Sequence, residues 1–325
     1  MKSPFTGKEM KIVYETREWN FRGEMYQYTH AAWLCEDTGE EFTTDEMDDA
    51  GFLQVTNQYR RKYGIPYTDE IVAIRERYGI SAAKMSSILG FGANQWRLYE
   101  AGEVPSVSNG RMIRSIMDPG VFLGYVRSSR LLLDEKEYKK IFARIAAIGE
   151  GEESEYAHSR VFQCERGEDN GFAPQSLERL KNVLLYMISQ AREVFCTKMN
   201  KLLFYADFLA YRRNGMAITG LSYKALGFGP VPERWDRVYS QFDEMTQEPR
   251  SYNEKEGIVL VTNAVADTSI FSESELEIMD EVCARFAKYS SSEISAISHE
   301  EKAWLECNEG HIRIPFRYAF DLKAI

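Results

Sequence analysis

The stretch Thr197–Trp235 reads TKMNKLLFYADFLAYRRNGMAITGLSYKALGFGPVPERW, and its pattern organises the C-terminal half of the chain. Thr197 is a residue type that caps helix starts, and apolar residues then recur at helical spacing. Asn214-Gly215 predicts the helix end, because both residue types tolerate the left-handed conformation. An extended piece over 222–226 is then broken by the rigid segment Gly227–Pro232. The pattern predicts a helix, an extended segment, a fixed corner and a further helix.

This stretch carries no complete catalytic motif. It has no nucleophile paired with a base, no metal-ligand spacing and no phosphate-binding loop. We expect Glu233 to open the helix that follows the corner. We expect Asp207, which lies within an apolar helix, to be a buried structural acid that bonds backbone groups of the corner; a direct partner contact is the alternative. The residues alone therefore predict a packed scaffold that presents a loop.

Several blocks in and around this stretch resemble the Panacea, or SocA-like, antitoxin domain over about Leu177 to Phe320. The blocks are Lys198–Leu202, Phe204–Asp207, Ile218–Gly220, Gly229–Pro232, Ser298–Trp304 and Ile314–Phe316. The resemblance implies a domain that neutralises a small protein toxin by binding it.

The corner segment, Gly227–Pro232, is the first candidate for the toxin contact. Loops on rigid scaffolds commonly carry function, and aromatic side chains are favoured anchors at interfaces. We therefore expect Tyr223, Phe228 and Pro230 to contact the toxin. The competing interpretation places Tyr223 and Phe228 in the core.

Composition limits the classes of partner and the compartment. The 325 residues predict two or three domains, and 44% hydrophobic residues exclude a disordered chain. A formal net charge of −10 disfavours general nucleic-acid binding and suits a basic protein partner. Five scattered cysteines without C-x-x-C are typical of a reduced, intracellular protein. No signal core or membrane-length apolar run is present, so we expect a cytoplasmic protein without a membrane partner.

Residues 1–66 form a predicted β-rich module whose two corners look alike. Ser3-Pro4-Phe5-Thr6-Gly7 and Cys35-Glu36-Asp37-Thr38-Gly39 each stand where a zinc ribbon has C-x-x-C-G. Hydroxyl side chains replace three of the four thiolates, so we expect no zinc, no other metal and no cofactor. The module resembles the N-terminal ribbon of MqsA-type antitoxins with the metal site lost.

Residues 67–148 have the pattern of a helix-turn-helix domain with extra helices. Two capped helices, a Gly90-Phe91-Gly92 turn and a short third helix follow one another. The segment resembles the Xre-like domain of MqsA-type antitoxins, notably at Ile71-x-x-Ile74-Arg75 and Tyr99-Glu100-x-Gly102. The resemblance implies promoter binding as a homodimer.

The third helix of such a motif reads base edges, and here it offers Asn94, Gln95 and Arg97. Asn and Gln can read adenine, and Arg can read guanine. Asn94 stands where MqsA-type antitoxins have a base-reading Asn, but their Arg position is Leu98 here, so a phosphate contact is the alternative for Arg97. Between residues 68 and 117 there are six bases against five acids, while the whole chain is strongly acidic. The alternative is that these side chains form only the solvated face of a helical domain that dimerises.

Residues 149–171 contain seven acids against two bases with glycine at both ends, and we interpret them as an acidic linker. The alternative is that these acids mimic DNA or attract a basic toxin. Residues 172–325 complete the Panacea-like domain.

The sequence therefore predicts a mainly α fold with a small N-terminal β-rich module, a helix-turn-helix domain and a mostly helical C-terminal domain with a few short strands. We expect an antitoxin of a toxin–antitoxin system that binds its toxin and represses its own promoter, without enzymatic activity. A proteolytic adaptor that delivers the toxin to a protease is the alternative.

Overall fold

The computed structural model describes residues 1–148, 158–190, 194–252 and 255–325. As predicted, the fold is mainly helical, with a three-stranded antiparallel sheet at the N-terminus and short strands within a helical C-terminal region. The chain divides into two compact units. One consists of Met1–Val55 with Glu155–Ile325, and the other of Thr56–Ser154, so that the division falls within the first helix.

The N-terminal sheet is a long hairpin with a short third strand, in the order β1-β2-β3. The strands are β1 (Lys11–Phe21), β2 (Glu24–Leu34) and β3 (Glu41–Phe42), followed by α1 (Asp45–Tyr63). Acidic residues in the first turn of α1 and basic residues in its last turn complement the helix dipole.

One face of this sheet packs against α1, and the other meets the C-terminal part of the same unit. Phe52 of α1 lies with its ring centroid 5.8 Å from Trp19 of β1. On the opposite face, Tyr14 contacts Phe320 with 5.6 Å between ring centroids. The β module is therefore built into the unit that holds the C-terminal domain.

In its described residues, 56–148, the second unit is a small core made of helices. Its further helices are α2 (Thr68–Tyr78), α3 (Ala82–Leu89), α4 (Gln95–Glu100), α5 (Val107–Ser115), α6 (Pro119–Ser128) and α7 (Glu135–Ala147). Tyr78 stacks on Phe122 at 4.0 Å and donates its hydroxyl to the Ile116 carbonyl. Buried Arg60 donates to the Pro66 and Gly102 carbonyls, which fixes the chain before α2 and after α4.

The C-terminal part surrounds one buried helix. Its helices are α8 (Leu177–Gln190), α9 (Cys196–Asn214), α10 (Trp235–Val238), α11 (Glu273–Phe286), α12 (Ser291–His299) and α13 (Lys302–Cys307). Its strands are β4 (Val194–Phe195), β5 (Tyr223–Leu226), β6 (Gly229–Pro232), β7 (Thr246–Tyr252) and β8 (Lys255–Val261). Every residue of α9 from Lys198 to Ala210 is buried, so this helix is the centre of the core.

Two sequence-based helix starts in this part are wrong. The helix α9 begins at Cys196 after Phe195, which makes no side-chain cap, and Thr197 lies inside its first turn. The short helix α10 begins after Arg234, and Glu233 is held in an ion-pair cluster instead. The predicted end is confirmed, because Gly215 follows α9 at φ 70°.

The segment interpreted as an acidic linker is described only from residue 158; residues 149–157 lie outside the described residues. Val161 and Phe162 are buried in the C-terminal core. Asn170, fully buried, donates its amide to the Gly220 carbonyl at 3.2 Å. The chain from 158 onward is thus part of the packed C-terminal domain.

Candidate functional site

The β5–β6 hairpin carries the corner segment, and its base is fixed by one buried carboxylate. Asp207 of α9 accepts the backbone N–H groups of Ile218 and Thr219, each at 2.8 Å. The hydroxyls of Thr219 and Tyr223 donate to its other oxygen, Tyr223 at 2.6 Å. Burial raises the pKa of Asp207, and these hydrogen bonds oppose that rise. The predicted structural role of Asp207 is therefore present, although its backbone partners precede β5 and do not belong to the corner segment.

The tip of the hairpin is fixed by a second set of contacts. The buried Lys201 ammonium donates to the Pro230 carbonyl at 2.8 Å. The Trp304 indole N–H donates to the Leu226 carbonyl at 2.9 Å. Gly229, at φ 99°, fits between Lys201 and Ser298, where an added Cβ would lie 2.3 Å from Ser298 Oγ. Only glycine suits this position, because both the conformation and the space exclude a side chain.

The three sequence-predicted contact residues lie at different depths. Phe228, at the turn of the hairpin, is 77% exposed. Tyr223 has no exposed surface and belongs to the aromatic core around Phe208, while Pro230 is buried beneath the tip. The hairpin thus presents Phe228 to solvent and uses Tyr223 and Pro230 to hold it there.

An ion-pair cluster supports the open end of the same hairpin. Glu233 accepts the Ser222 hydroxyl at 2.6 Å and pairs with Lys224 and Arg313 at 2.8 and 2.7 Å. Burial acts to raise the pKa of Glu233, but Lys224, Ser222 and Arg313 outweigh it and lower the pKa. Arg313 also pairs with Asp169 at 2.8 Å. The sequence alone does not reveal this cluster, because no local pattern joins residues so distant along the chain.

The candidate DNA-reading residues lie around the short helix α4. Trp96 and Tyr99 are buried and anchor the helix, and Asn94 precedes it. Asn94 and Arg97 are exposed on the side away from these anchors. Gln95 is half-buried, and its amide donates to Glu103 at 2.9 Å. Asn94 and Arg97 are therefore accessible, while Gln95 is already engaged.

Most bases of this region are used within the unit. Four of the six bases between residues 68 and 117 have a partner: Arg75 pairs with Glu100, Arg77 donates to the Met117 carbonyl, Lys84 pairs with Glu137 and Arg114 donates to the Gly64 carbonyl. Within the described part of the chain, Arg97 and Arg111 have no such partner. Among the described bases between residues 68 and 117, Arg97 and Arg111 are therefore the two that remain available to an external anion.

The two N-terminal corners face each other as in a metal knuckle. Cys35 Sγ, which is buried, donates to Ser3 Oγ at 3.1 Å and lies 3.9 Å from Thr6 Oγ1. The pKa of Cys35 is lowered to about 7 by side-chain hydrogen bonding with Ser3 and then Thr38, because both hydroxyls can donate to the thiolate once the thiol proton is lost. In the described residues, no group of three or more His, Cys, Asp or Glu side chains could hold a metal ion.

Comparison with known proteins identifies one part of the chain. Residues 199–305, about a third of the sequence, match the family model described as antitoxin SocA-like, Panacea domain. This span includes most of α9, the β5–β6 hairpin and most of α13. The match supports an antitoxin role.

No curated protein and no solved structure matches the chain. Among the described residues, no helix is both long enough and apolar enough to cross a membrane.

Proposed function

We propose that this protein is an antitoxin that holds a cognate toxin inactive by binding it through the tip of the β5–β6 hairpin. The observation that carries the proposal is a 77%-exposed Phe228 on a hairpin fixed at both ends, inside the span that matches an antitoxin domain. A rigid scaffold lowers the ordering cost of binding, and a central aromatic side chain is a common energetic anchor.

The test is the affinity of the Phe228→Ala variant for the protein encoded in the adjacent reading frame. Loss of a central aromatic anchor costs about 2 kcal/mol or more, so the dissociation constant should rise more than about tenfold. Because Phe228 is mostly solvated, the melting temperature should stay unchanged. Val265→Ala, which truncates a side chain that is 91% exposed elsewhere in the unit, is the matched control and should bind as the wild type does.

Unchanged toxin binding in Phe228→Ala would place the toxin contact elsewhere on the domain. A shortened toxin half-life on co-expression would favour the adaptor function, because a neutralising complex leaves the toxin level unchanged or higher. The proposed function includes no catalytic step. It would be contradicted if the protein turned over a substrate and a single polar substitution abolished this turnover.

We further propose that the second unit represses the promoter of the same operon as a homodimer. Support comes from the exposed Asn94 and Arg97 at the start of a short helix anchored by Trp96. A bidentate base contact is worth about 1–3 kcal/mol of discrimination. Asn94→Ala should therefore weaken specific promoter binding about tenfold, whereas Gln95→Ala should act less, since Gln95 must first leave Glu103.

The matched pair for this test is Arg97→Ala and Arg111→Ala, which remove the same charge from the same unit. If Arg97 contacts a base, Arg97→Ala should reduce affinity for the promoter more than affinity for unrelated DNA. Loss of a phosphate contact at Arg111 would reduce both alike. Equal binding of promoter DNA by the wild type, Asn94→Ala and Arg97→Ala would contradict the DNA-reading proposal.

A further inference from the structure

The strand β1 is a long, open edge of the N-terminal sheet. It has 11 residues and, within the described part of the chain, pairs with β2 alone, in an unbroken register from Lys11↔Leu34 to Phe21↔Glu24. It contains no proline and no bulge. Natural proteins usually protect such edges by shortening, bulging or covering them, because an open edge can pair with another strand.

The hairpin turn determines which backbone groups of β1 point outward. Arg22 and Gly23 have φ of 54° and 87°, which are the two positive values of a two-residue type I′ turn. The flanking pair Phe21 and Glu24 is then a hydrogen-bonded pair, and the pairs alternate from there. The N–H and C=O groups that point away from β2 therefore belong to every second residue: Ile12, Tyr14, Thr16, Glu18 and Asn20.

These outward groups are available. Among the described residues, none of the five has a backbone hydrogen bond outside the β1–β2 ladder. Apolar side chains along the strand are also unusually open, with Ile12 41%, Tyr14 38% and Trp19 36% exposed. As far as the structure describes the chain, the edge of β1 therefore has both a row of unpaired backbone N–H and C=O groups and exposed apolar side chains beside it.

Two antiparallel copies of β1 that overlap along the whole strand, which centres the pairing on its midpoint Thr16, have complementary side chains. In an antiparallel pair of two β1 strands centred on Thr16, Glu15 of each copy stands opposite Arg17 of the other, and Val13 stands opposite Trp19. Centring on Glu15, Arg17 or Glu18 would instead set like charges against each other. Opposite charges and aromatic–β-branched pairs stabilise facing strands, and like charges destabilise them. Arg17 already pairs with Glu15 and Glu41 of its own chain, so the register would extend an existing charge network.

We propose that β1 pairs with β1 of a second copy of this chain, antiparallel about a two-fold axis at Thr16, to form a continuous six-stranded sheet. Five hydrogen-bonded residue pairs form across the axis, from Ile12 opposite Asn20 to Asn20 opposite Ile12. The inference does not depend on the toxin or DNA proposals, because it concerns the protein alone.

Cross-linking tests the register directly. A Thr16→Cys variant sets two thiols opposite each other at a Cα separation of about 5.5 Å, within disulfide range. Glu18→Cys, on the same edge and the same face, is the matched control, because its counterpart lies about 13 Å away along the strand. We expect oxidation to cross-link most Thr16→Cys chains and few Glu18→Cys chains. No cross-link at position 16, or equal cross-linking at both positions, overturns the proposal.

Mass measurement of the full-length protein tests the pairing without an added thiol. We expect the wild type to sediment at twice the chain mass of 37.5 kDa. Thr16→Pro removes an outward N–H and leaves the β1–β2 ladder its bonds, so the variant should fold and be monomeric. A monomeric wild type would overturn the proposal and leave the edge to a strand of another protein.

Charge reversal provides the second check. Glu15→Arg alone and Arg17→Glu alone each set like charges across the axis, so each variant should be monomeric. A mixture of the two should dimerise, because every cross-strand pair is then of opposite charge. Dimers of either variant alone, as stable as the wild-type dimer, would overturn the Thr16 register.

Discussion

Lys201 shows how one buried charge can make the stability of this domain depend on pH. Its side chain has no exposed surface, and burial lowers its pKa to about 7. In the unfolded chain a lysine pKa is about 10.4. Between these values the unfolded chain binds a proton that the folded chain lacks, so stability rises with pH across about 7 to 10. Below about 7 both states are protonated, and Lys201 adds no further pH dependence.

We therefore predict that Lys201→Met removes this rise. Urea unfolding across pH 7 to 10 should show the free energy of unfolding of the wild type climbing relative to that of the variant. Lys288→Met, which replaces an exposed lysine in the same domain, should follow the wild type at every pH. Parallel curves for the wild type and Lys201→Met would mean that the folded state holds Lys201 with an ordinary pKa.

Individual residues differ in how far the sequence alone could predict their roles. An acid in an apolar helix has to be bonded internally, so the structural role of Asp207 could be predicted. Its partner Tyr223 could not, because the sequence does not show which aromatic residues of a corner turn inward. The ion pair between Glu233 and Arg313 could not be predicted from local sequence either, since only the folded chain brings their charged groups to 2.7 Å from each other.

At the scale of elements, the sequence predicts a helix start well when the side chain next to that start caps the helix. Ser81, Asp118, Asp134 and Ser272 are residue types that favour helix starts, and each accepts a backbone N–H of the helix that follows it. Thr68 is of the same type but lies inside α2, which begins after Tyr67. The start of α9 was wrong because β4 pairs with β8 immediately before it, at Phe195↔Val259, and this tertiary pairing fixes the helix start. Helix boundaries set by distant strands leave no local signal.

The two N-terminal corners also allow a prediction about metal. Tight turns at both corners persist, with Gly7 N–H bonded to the Ser3 carbonyl and Gly39 N–H to the Cys35 carbonyl at 2.9 and 2.7 Å. Ser3 and Thr6 hydroxyls surround the Cys35 thiol, and neutral hydroxyls are poor zinc ligands. We predict that purified protein contains no stoichiometric zinc by elemental analysis. One zinc per chain, lost in Cys35→Ala, would contradict this.

At the scale of the molecule, the sequence did not indicate that the β module packs against the C-terminal domain. The contact depends on single residues far apart in the chain. Gly215, at φ 70°, lies so close to α1 that an added Cβ would be 2.6 Å from the Ala50 carbonyl oxygen. Tyr14 covers the Phe320 ring. In the sequence, a glycine after a helix looks like an ordinary helix end, and an aromatic residue in a strand looks like an ordinary core residue. Neither therefore predicts a contact between the β module and the C-terminal domain.

This packing leads to a prediction about a fragment of residues 158–325. The C-terminal core is built from residues between Val161 and Ala319, so the fragment should fold cooperatively. It should nevertheless melt below the full-length protein, because it loses the Tyr14–Phe320 contact, and an aromatic pair is worth about 0.5–1.5 kcal/mol beyond its buried area.

If Phe228 carries toxin binding, this fragment should still rescue cells from the toxin, and Phe228→Ala within it should not. A fragment of residues 172–325 is the informative comparison. It lacks Val161 and Phe162 of the core and the Asn170 amide that bonds the Gly220 carbonyl, so it should melt lower still. Rescue by the 158–325 fragment would separate neutralisation from the β module. A fragment that folds, by its melting transition, yet fails to rescue would instead place part of the toxin contact on residues 1–157.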